Sequence, residues 1–429
     1  MRNSLCCLVV LLASLLGRGQ SKTDDLLKNI LKANPDSLVQ AVLNNPDVYR
    51  YQVIYTQIER DKNNNPSFKN YYYNVDPHRY FNPASVVKMP LAFLSLEKLN
   101  RMNKKGVNKF TSMQYDSGWS RQTVLYRDST AETGVQSIAQ FIRKAFLISD
   151  NDAYTRMYEF VGQQTTNRRL HDMGYPETRI TRRFMRMNAE ENRHTNPIRF
   201  IDDKGYVVYS QPAQYNRDSF DFSREYKLGK GYLNANDSLI NEPIDFTRAN
   251  NFPLEDMQQQ LQSVLFPSSV PSIQRFQLEK KDYDFLYRFL SQYPSETDYP
   301  KYDTGAFYDS YVKFFFRQGS HAMPQHVRVF NKVGWAYGCL TDVSYVVDFK
   351  NKVEYMLAAT IYVNSDNILN DDKYEYETVG WPFLYEIGQT IYRYELNRPR
   401  KYKPDLSRFK MEYQKRKEDG RKAIKDVDN

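Results

Sequence analysis

Cysteine is nearly absent from this chain. Three occur in 429 residues, and two of them, Cys6 and Cys7, stand at the very start. With the start removed Cys339 is left alone, which excludes an intrachain disulfide framework. Histidine is as scarce. His78, His171, His194, His321 and His326 show no metal-ligand spacing, so neither a metal site nor a cofactor is expected. No Gly-x-Ser-x-Gly elbow and no phosphate-cradling glycine loop occurs. After residue 16 there is no long apolar run, so the mature chain should have no membrane span.

What is present begins with a leader. Arg2 is a short positive segment, Leu5 to Leu16 is an apolar run of signal-peptide length, and Gly17-Arg18-Gly19 supplies small residues for cleavage. Residues 1–19 therefore read as a signal peptide, the alternative being a retained N-terminal anchor. Cys6 and Cys7 lie inside the run rather than behind it, which speaks against a lipid-anchored start. The rest is ordinary for a soluble globular protein, at 41% hydrophobic and 26% charged residues. The 35 tyrosines imply many half-buried aromatic contacts. The net charge of +9 is carried largely by residues 397–429, with twelve Lys/Arg against six Asp/Glu. The body is close to neutral, which argues against nucleic acid as a partner. The tail is expected to be a solvated, partly helical extension, or else a contact for an acidic envelope surface.

Residues 24–45 have helical periodicity interrupted at Pro35. Tyr49 to Glu59 and Phe68 to Val75 read as a hairpin around Asn63-Asn64-Asn65-Pro66. Residues 101–134 are polar and irregular. Val135 to Ile148 and Tyr154 to Val161 read as helices, with Ser149 to Asn151 in a short loop between them. A loop rich in Arg and Asn spans Thr178 to Pro197. Residues 198–250, polar and tyrosine-rich, read as an insertion. Helices follow at Leu254 to Leu265 and Asp282 to Tyr293, strands at Arg328 to Val333, Asp342 to Asp348 and Val353 to Val363, and a closing helix at Val379 to Leu396. This order predicts an α+β fold: an antiparallel sheet built from both chain ends and flanked by helices, with a helical subdomain between, within one catalytic domain at 20–396. A cleft between the two parts is the natural site.

The chain is organised around Phe81 to Leu94. Asn82 and Pro83 suit a helix start, and the residues beyond are apolar on nearly every side. Ser85 and Lys88 interrupt that surface one turn apart. Burial lowers a lysine's pKa, and a neutral amine can take the serine proton. The same spacing recurs at Ser95 and Lys98, expected to be a surface pair.

Ser85-Val86-Val87-Lys88, Ser149-Asp150-Asn151 and Lys332-Val333-Gly334 resemble the three motifs of class A β-lactamases and penicillin-binding proteins, in the order of that family. The resemblance runs from about Tyr49 to about Leu396, omitting the insertion. Pro90 and Thr195-Asn196-Pro197 agree with it. Ser365-Asp366-Asn367 and Lys104-Lys105-Gly106 repeat single motifs but fall out of order, and Lys227-Leu228-Gly229 lies in the insertion with no strands following. The interval from Ser149 to Lys332 exceeds the family's, as an insertion would make it.

The resemblance implies a serine hydrolase in which Ser85 attacks an amide or lactam carbonyl and Lys88 takes its proton. Ser149 would relay a proton to the leaving nitrogen, and Asn151 would hold the substrate amide and orient Lys88. Lys332 would attract a substrate carboxylate, and Gly334 would let substrate approach the strand. The backbone N–H groups of Ser85 and Trp335 would form an oxyanion hole. It also implies a small-molecule or peptide substrate and export across an inner membrane to a periplasm. Two features depart from the family. Val333 stands where a hydroxyl is usual, and the omega-loop Glu-x-x-Leu-Asn is missing, its Glu position falling near Ile180. Glu190 and Glu191 are nearby, and a solvated pair is the expectation for them. Alternatives are a cell-wall peptide amidase or peptidase, and a non-hydrolytic penicillin-binding or sensor protein.

Overall fold

Strand-forming sequence from the two ends of the chain meets in one sheet. The protein is described by a computed structural model covering residues 21–319 and 321–427. The expected signal peptide lies outside the described residues. Helix α1 (Asp25–Lys32) and helix α2 (Ser37–Asn44) are separated at Pro35, and Asp36 caps α2 by accepting from the Val39 N–H at 3.0 Å. Strands β1 (Gln52–Arg60) and β2 (Pro66–Tyr73) form the expected hairpin, its turn fixed by Asp61 accepting from the Asn63 and Asn65 N–H groups.

After β2 comes a 3-10 turn over Ala84–Val87 that runs directly into α3 (Lys88–Met102). The helical subdomain follows, with α4 (Ile138–Leu147), α5 (Asn151–Val161), α6 (Gln163–Asp172), α7 (Leu254–Leu265) and α8 (Lys280–Ser291). Strands β3 (Val327–Ala336), β4 (Cys339–Asp348) and β5 (Val353–Tyr362) return to the sheet, and α9 (Trp381–Asn397) closes it. The strand order is β3-β4-β5-β1-β2, antiparallel throughout, as the sequence predicted.

Side-chain alternation gives the sheet two dry faces. Val53, Tyr55, Val329, Val333, Leu340, Val346 and Leu357 pack under α1, α2 and α9. Ile54, Ile58, Phe330, Val343, Tyr345 and Met356 face the helical subdomain. Helix α3 is buried on almost all sides and packs against helices α4 and α5, and the turn that leads into it packs against β3 and β4. Lys332 shares the face of Phe330, so β3 presents it toward the helices.

Two elements escaped the periodicity. Ser112–Tyr115 is a strand within the stretch expected to be irregular. It is only four residues long, and its partner Ile198–Ile201, which pairs in turn with Val207–Gln211, lies far along the chain. Helix α6 has Leu170 as its one large apolar residue, too little for a stripe. None of the strands within 198–250 joins the five-stranded sheet.

The tail departs from expectation. Residues 398–427 are mostly exposed, as a solvated extension would be, but not helical: only Ser407–Phe409 forms a short 3-10 turn, and the segment is held against the body. Leu406 and Phe409 are buried in the core. Arg416 donates to the Pro294 carbonyl at 2.8 Å, and Ile424 forms a bridge with Tyr302. The lysines and arginines that make the segment read as solvated alternate with the few apolar anchors that hold it down.

Candidate active site

The start of α3 is strained and pinned. Ala84 adopts φ 43°, a left-handed conformation that costs a non-glycine residue about 1–2 kcal/mol. Its N–H donates to Asn82 Oδ1 at 2.8 Å, and the Val86 N–H donates to the Pro83 carbonyl at 3.0 Å. The consequence is a half-exposed Ser85 on the wall of a cleft of about 350 Å³. A second strained residue faces it: Ser149, at φ 68°, in the loop between α4 and α5. Strain of this kind persists where surrounding structure holds it, and it clusters at functional sites.

Lys88 is fully buried one turn below Ser85. Its Nζ donates to Asn151 Oδ1 at 2.6 Å, to Ser149 Oγ at 3.2 Å and to the Ser149 carbonyl. Lys332 reaches the same hydroxyl from β3, with Nζ 2.8 Å from Ser149 Oγ, and also donates to the Val333 carbonyl at 2.7 Å. Ser149 Oγ therefore bridges two buried lysines. Burial lowers Lys88 to about 7, opposed by the charge of Asp150. Lys332 is lowered well below its ordinary value, first by burial and then by Lys88. Asp150 is engaged elsewhere, capping α5 through the Ala153 N–H at 2.7 Å and pairing with Lys144 at 3.3 Å.

Gly334 explains its own identity. A Cβ placed there would lie 2.6 Å from the Pro83 carbonyl oxygen and 2.8 Å from the Ser85 nitrogen. Only glycine allows β3 to press against the turn that carries Ser85. Val333, on the opposite face, is fully buried in the layer under α9.

Ser85, Lys88, Ser149, Asn151, Lys332, Gly334 and Trp335 are thus brought to one place. Ser85, Asn151 and Trp335 line the cleft, while Lys88, Ser149 and Lys332 lie buried beneath it. One expected link is not made: Lys88 bonds to Ser149 and Asn151, and no hydrogen bond joins it to Ser85 Oγ among the described residues.

The second Ser-x-x-Lys pair is not on the surface. Ser95 is fully buried and donates to the Leu91 carbonyl at 2.7 Å, while Lys98 reaches the Phe160 carbonyl. Helices α4 and α5 pack against α3, so a pair that reads as exposed is enclosed. Its hydroxyl is spent on its own helix.

Sequence reading missed the far wall of the cleft. Arg182, Phe184, Met185 and Arg186 come from the Arg- and Asn-rich loop, Phe246, Ala249 and Asn250 from residues 198–250, and Tyr337 from the β3–β4 turn. The loop is clasped by Arg183, whose guanidinium is buried against Glu159 at 3.2 Å and donates to the Glu191 carbonyl at 3.2 Å and to the His194 carbonyl. The Tyr154 hydroxyl holds the Arg182 carbonyl at 2.7 Å, and its ring stacks on Phe184 at 4.3 Å. Phe184 in turn covers Lys88, with Nζ 5.2 Å from its ring centre.

No carboxylate lines the cleft among the described residues. Glu191 accepts from Ser120 Oγ at 2.9 Å and from the Asn188 N–H at 2.8 Å, and that backbone bond holds it below the usual carboxylate range. Glu190 is exposed beside His194 at 3.4 Å. Ile180 is buried away from the cleft. No cluster of metal-ligating side chains occurs among the described residues, and no described helix is long and apolar enough to cross a membrane.

The antiparallel sheet, the helical subdomain and the serine at the cleft define a β-lactamase-like serine hydrolase fold. Residues 35–203, less than half of the chain, match the model of the Beta-lactamase enzyme family, and over that span the chain resembles it. Among solved structures, it is similar to a β-lactamase from Sphaerobacter thermophilus at 12% identity and a TM-score of 0.45, covering 85% of this chain and 98% of that one. It is similar to one from Streptosporangium roseum at 14% identity and a TM-score of 0.46, covering 85% and 99%. A β-lactamase from Francisella tularensis shows 15% identity and a TM-score of 0.45, covering 86% and 99%. None of the curated proteins matches the chain.

Proposed function

We propose that this chain is an exported serine hydrolase that forms an acyl-enzyme on Ser85 with a β-lactam or a related amide. The observation that carries this is the hydroxyl of Ser149, held by Lys88 Nζ at 3.2 Å and Lys332 Nζ at 2.8 Å beneath the cleft that Ser85 lines. Ser85 Oγ attacks the carbonyl carbon. Its proton passes to neutral Lys88, which first turns from the Ser149 carbonyl toward Ser85; such bonds are often loose before substrate arrives. As the C–N bond breaks, Ser149 gives its proton to the leaving nitrogen and is resupplied from Lys88. The backbone N–H groups of Ser85 and Trp335 receive the developing oxyanion. A substrate carboxylate near Lys332 would restore the charge that burial disfavours. Export rests on the leader at 1–19, and residues 198–250 are an insertion that supplies part of the cleft wall.

Mass spectrometry after a pulse of fluorescent penicillin and a chase tests the reading: a mass gain on the Ser85 peptide supports it, and no adduct with folded protein refutes it. The pH dependence gives a finer test. The reactive form of Lys88 is neutral, so the acylation rate should rise with pH through about 7 and level off above it. A rate independent of pH from 5.5 to 8.5 would remove Lys88 as the base.

Hydrolysis needs a base for the attacking water as well, and Phe184 rather than a carboxylate lies over Lys88. This favours a second form of the reading, a penicillin-binding or sensor protein that keeps its acyl group. General-base assistance is worth about 10²–10⁴ in rate, so the adduct should persist for minutes or longer. Glu190→Gln and Glu191→Gln should leave its lifetime unchanged. Turnover too fast to trap the adduct would show a deacylating base elsewhere.

A further inference from the structure

The cleft does not end at Ser85. A second cavity of about 230 Å³ opens beside it, sharing Arg182 and Ala249 with the cleft, and is lined also by Gln163, Asn192, Phe220, Phe222, Arg193 and Arg248. Three exposed arginines mark this path. Arg186 stands at the cleft, Arg182 at the junction and Arg248 in the second cavity, its guanidinium 5.1 Å from the Phe222 ring centre. The side chains of Arg182, Arg186 and Arg248 have no carboxylate partner among the described residues, although most arginines nearby are paired. Arg183 holds Glu159 at 3.2 Å, Arg168 holds Asp218 at 2.6 Å and Arg224 holds Glu177 at 3.0 Å. The one carboxylate in the second cavity, Asp245, accepts from the Thr247 N–H at 2.8 Å, and hydrogen bonds from Thr247, then the charges of Lys227 and Arg248, hold it below the usual carboxylate range without a direct ion pair to Arg248.

We propose that this groove is a binding subsite for an acidic peptide segment, joined to the amide that Ser85 attacks and running past Arg182 to Arg248; the proposal rests on the serine-hydrolase reading above. A carboxylate meets a planar fork of donors on each arginine. The half-buried Phe220 and Phe222 offer apolar surface beside the arginines. A compact bicyclic lactam would fill the cleft of about 350 Å³ and leave the second cavity unused. The arginines would steer acidic ligands and add affinity that falls with salt.

The experiment uses the full mature chain and a rhodamine-labelled tetraglutamate amide, with tetraglutamine amide as the neutral control. Fluorescence anisotropy should show binding of tetraglutamate only, weakened by salt. The double variant Arg182→Gln/Arg248→Gln should weaken it at least about tenfold, which corresponds to about 1.4 kcal/mol. Both side chains are exposed, so the variant should keep the wild-type melting temperature. Excess tetraglutamate should also slow penicillin labelling of Ser85. Equal binding of the two peptides, unchanged binding in the variant, or tighter arginine-dependent binding of polyphosphate than of tetraglutamate would overturn the proposal. Arginine-dependent peptide binding without any labelling of Ser85 would support the subsite and defeat the hydrolase reading. Labelling without such binding would do the reverse.

Discussion

Ser85→Ala should abolish covalent labelling by penicillin and reduce any turnover by a factor on the order of 10⁶, the scale of losing an enzyme nucleophile. Ser95→Ala, on the same helix and at the same spacing from a lysine, should leave labelling intact. The contrast rests on where each hydroxyl goes. Ser85 is half-exposed on the cleft wall beside the strained Ala84, whereas Ser95 is buried and bonded to the Leu91 carbonyl at 2.7 Å. Removing Ser85 Oγ takes away the atom that would form the ester. Removing Ser95 Oγ costs one internal hydrogen bond, about 1 kcal/mol, and substitutes a better helix former. Intact-protein mass spectrometry reads both results. An adduct of equal yield on the Ser85→Ala protein would mean that the nucleophile is another residue.

The second large effect is expected from a single methyl group. In Gly334→Ala the new Cβ would sit 2.6 Å from the Pro83 oxygen, 2.8 Å from the Ser85 nitrogen and 3.0 Å from the Val86 nitrogen. All three are backbone atoms, so no side chain can swing aside. Either β3 retreats or the turn that carries Ser85 is pushed out of place. Displacements near 1 Å at a reacting group cost about 10²-fold, and overpacking costs about 1–3 kcal/mol of stability. Acylation should therefore fall by about 10²-fold or more in a protein that still folds, with the far-UV circular dichroism preserved and the melting temperature lowered. Wild-type acylation kinetics in Gly334→Ala would show that the contact between β3 and the turn does not position Ser85.

Much of the fold was legible because its signals are local. Pro35 divides α1 from α2, and the hairpin turn at residues 61–65 joins β1 to β2. The apolar runs of β3, β4 and β5 bound strands close to their observed limits. The polar α6 and the short strand Ser112–Tyr115 were illegible because their partners are distant and they carry no periodic apolar face. The tail misled for a related reason: its charges are dense, and its anchors Leu406 and Phe409 are too few to form a pattern.

The candidate site divides in the same way. The sequence by itself determined the residue types and their order: a serine and a lysine one turn apart, a Ser-Asp-Asn loop and a Lys-Val-Gly strand. The tertiary structure decided what those residues touch. Only folding sets Lys88 and Lys332 on a single hydroxyl, encloses Ser95 within helices, and draws Glu191 away to Ser120 and the Asn188 N–H. Only folding lays Phe184 over Lys88 and lines up Arg182, Arg186 and Arg248 along one groove. Spacing along a helix is a covalent property and can be read from the chain. Which side chain meets which across a cleft depends on the packing of segments far apart in sequence, and on the burial that moves a lysine toward neutrality.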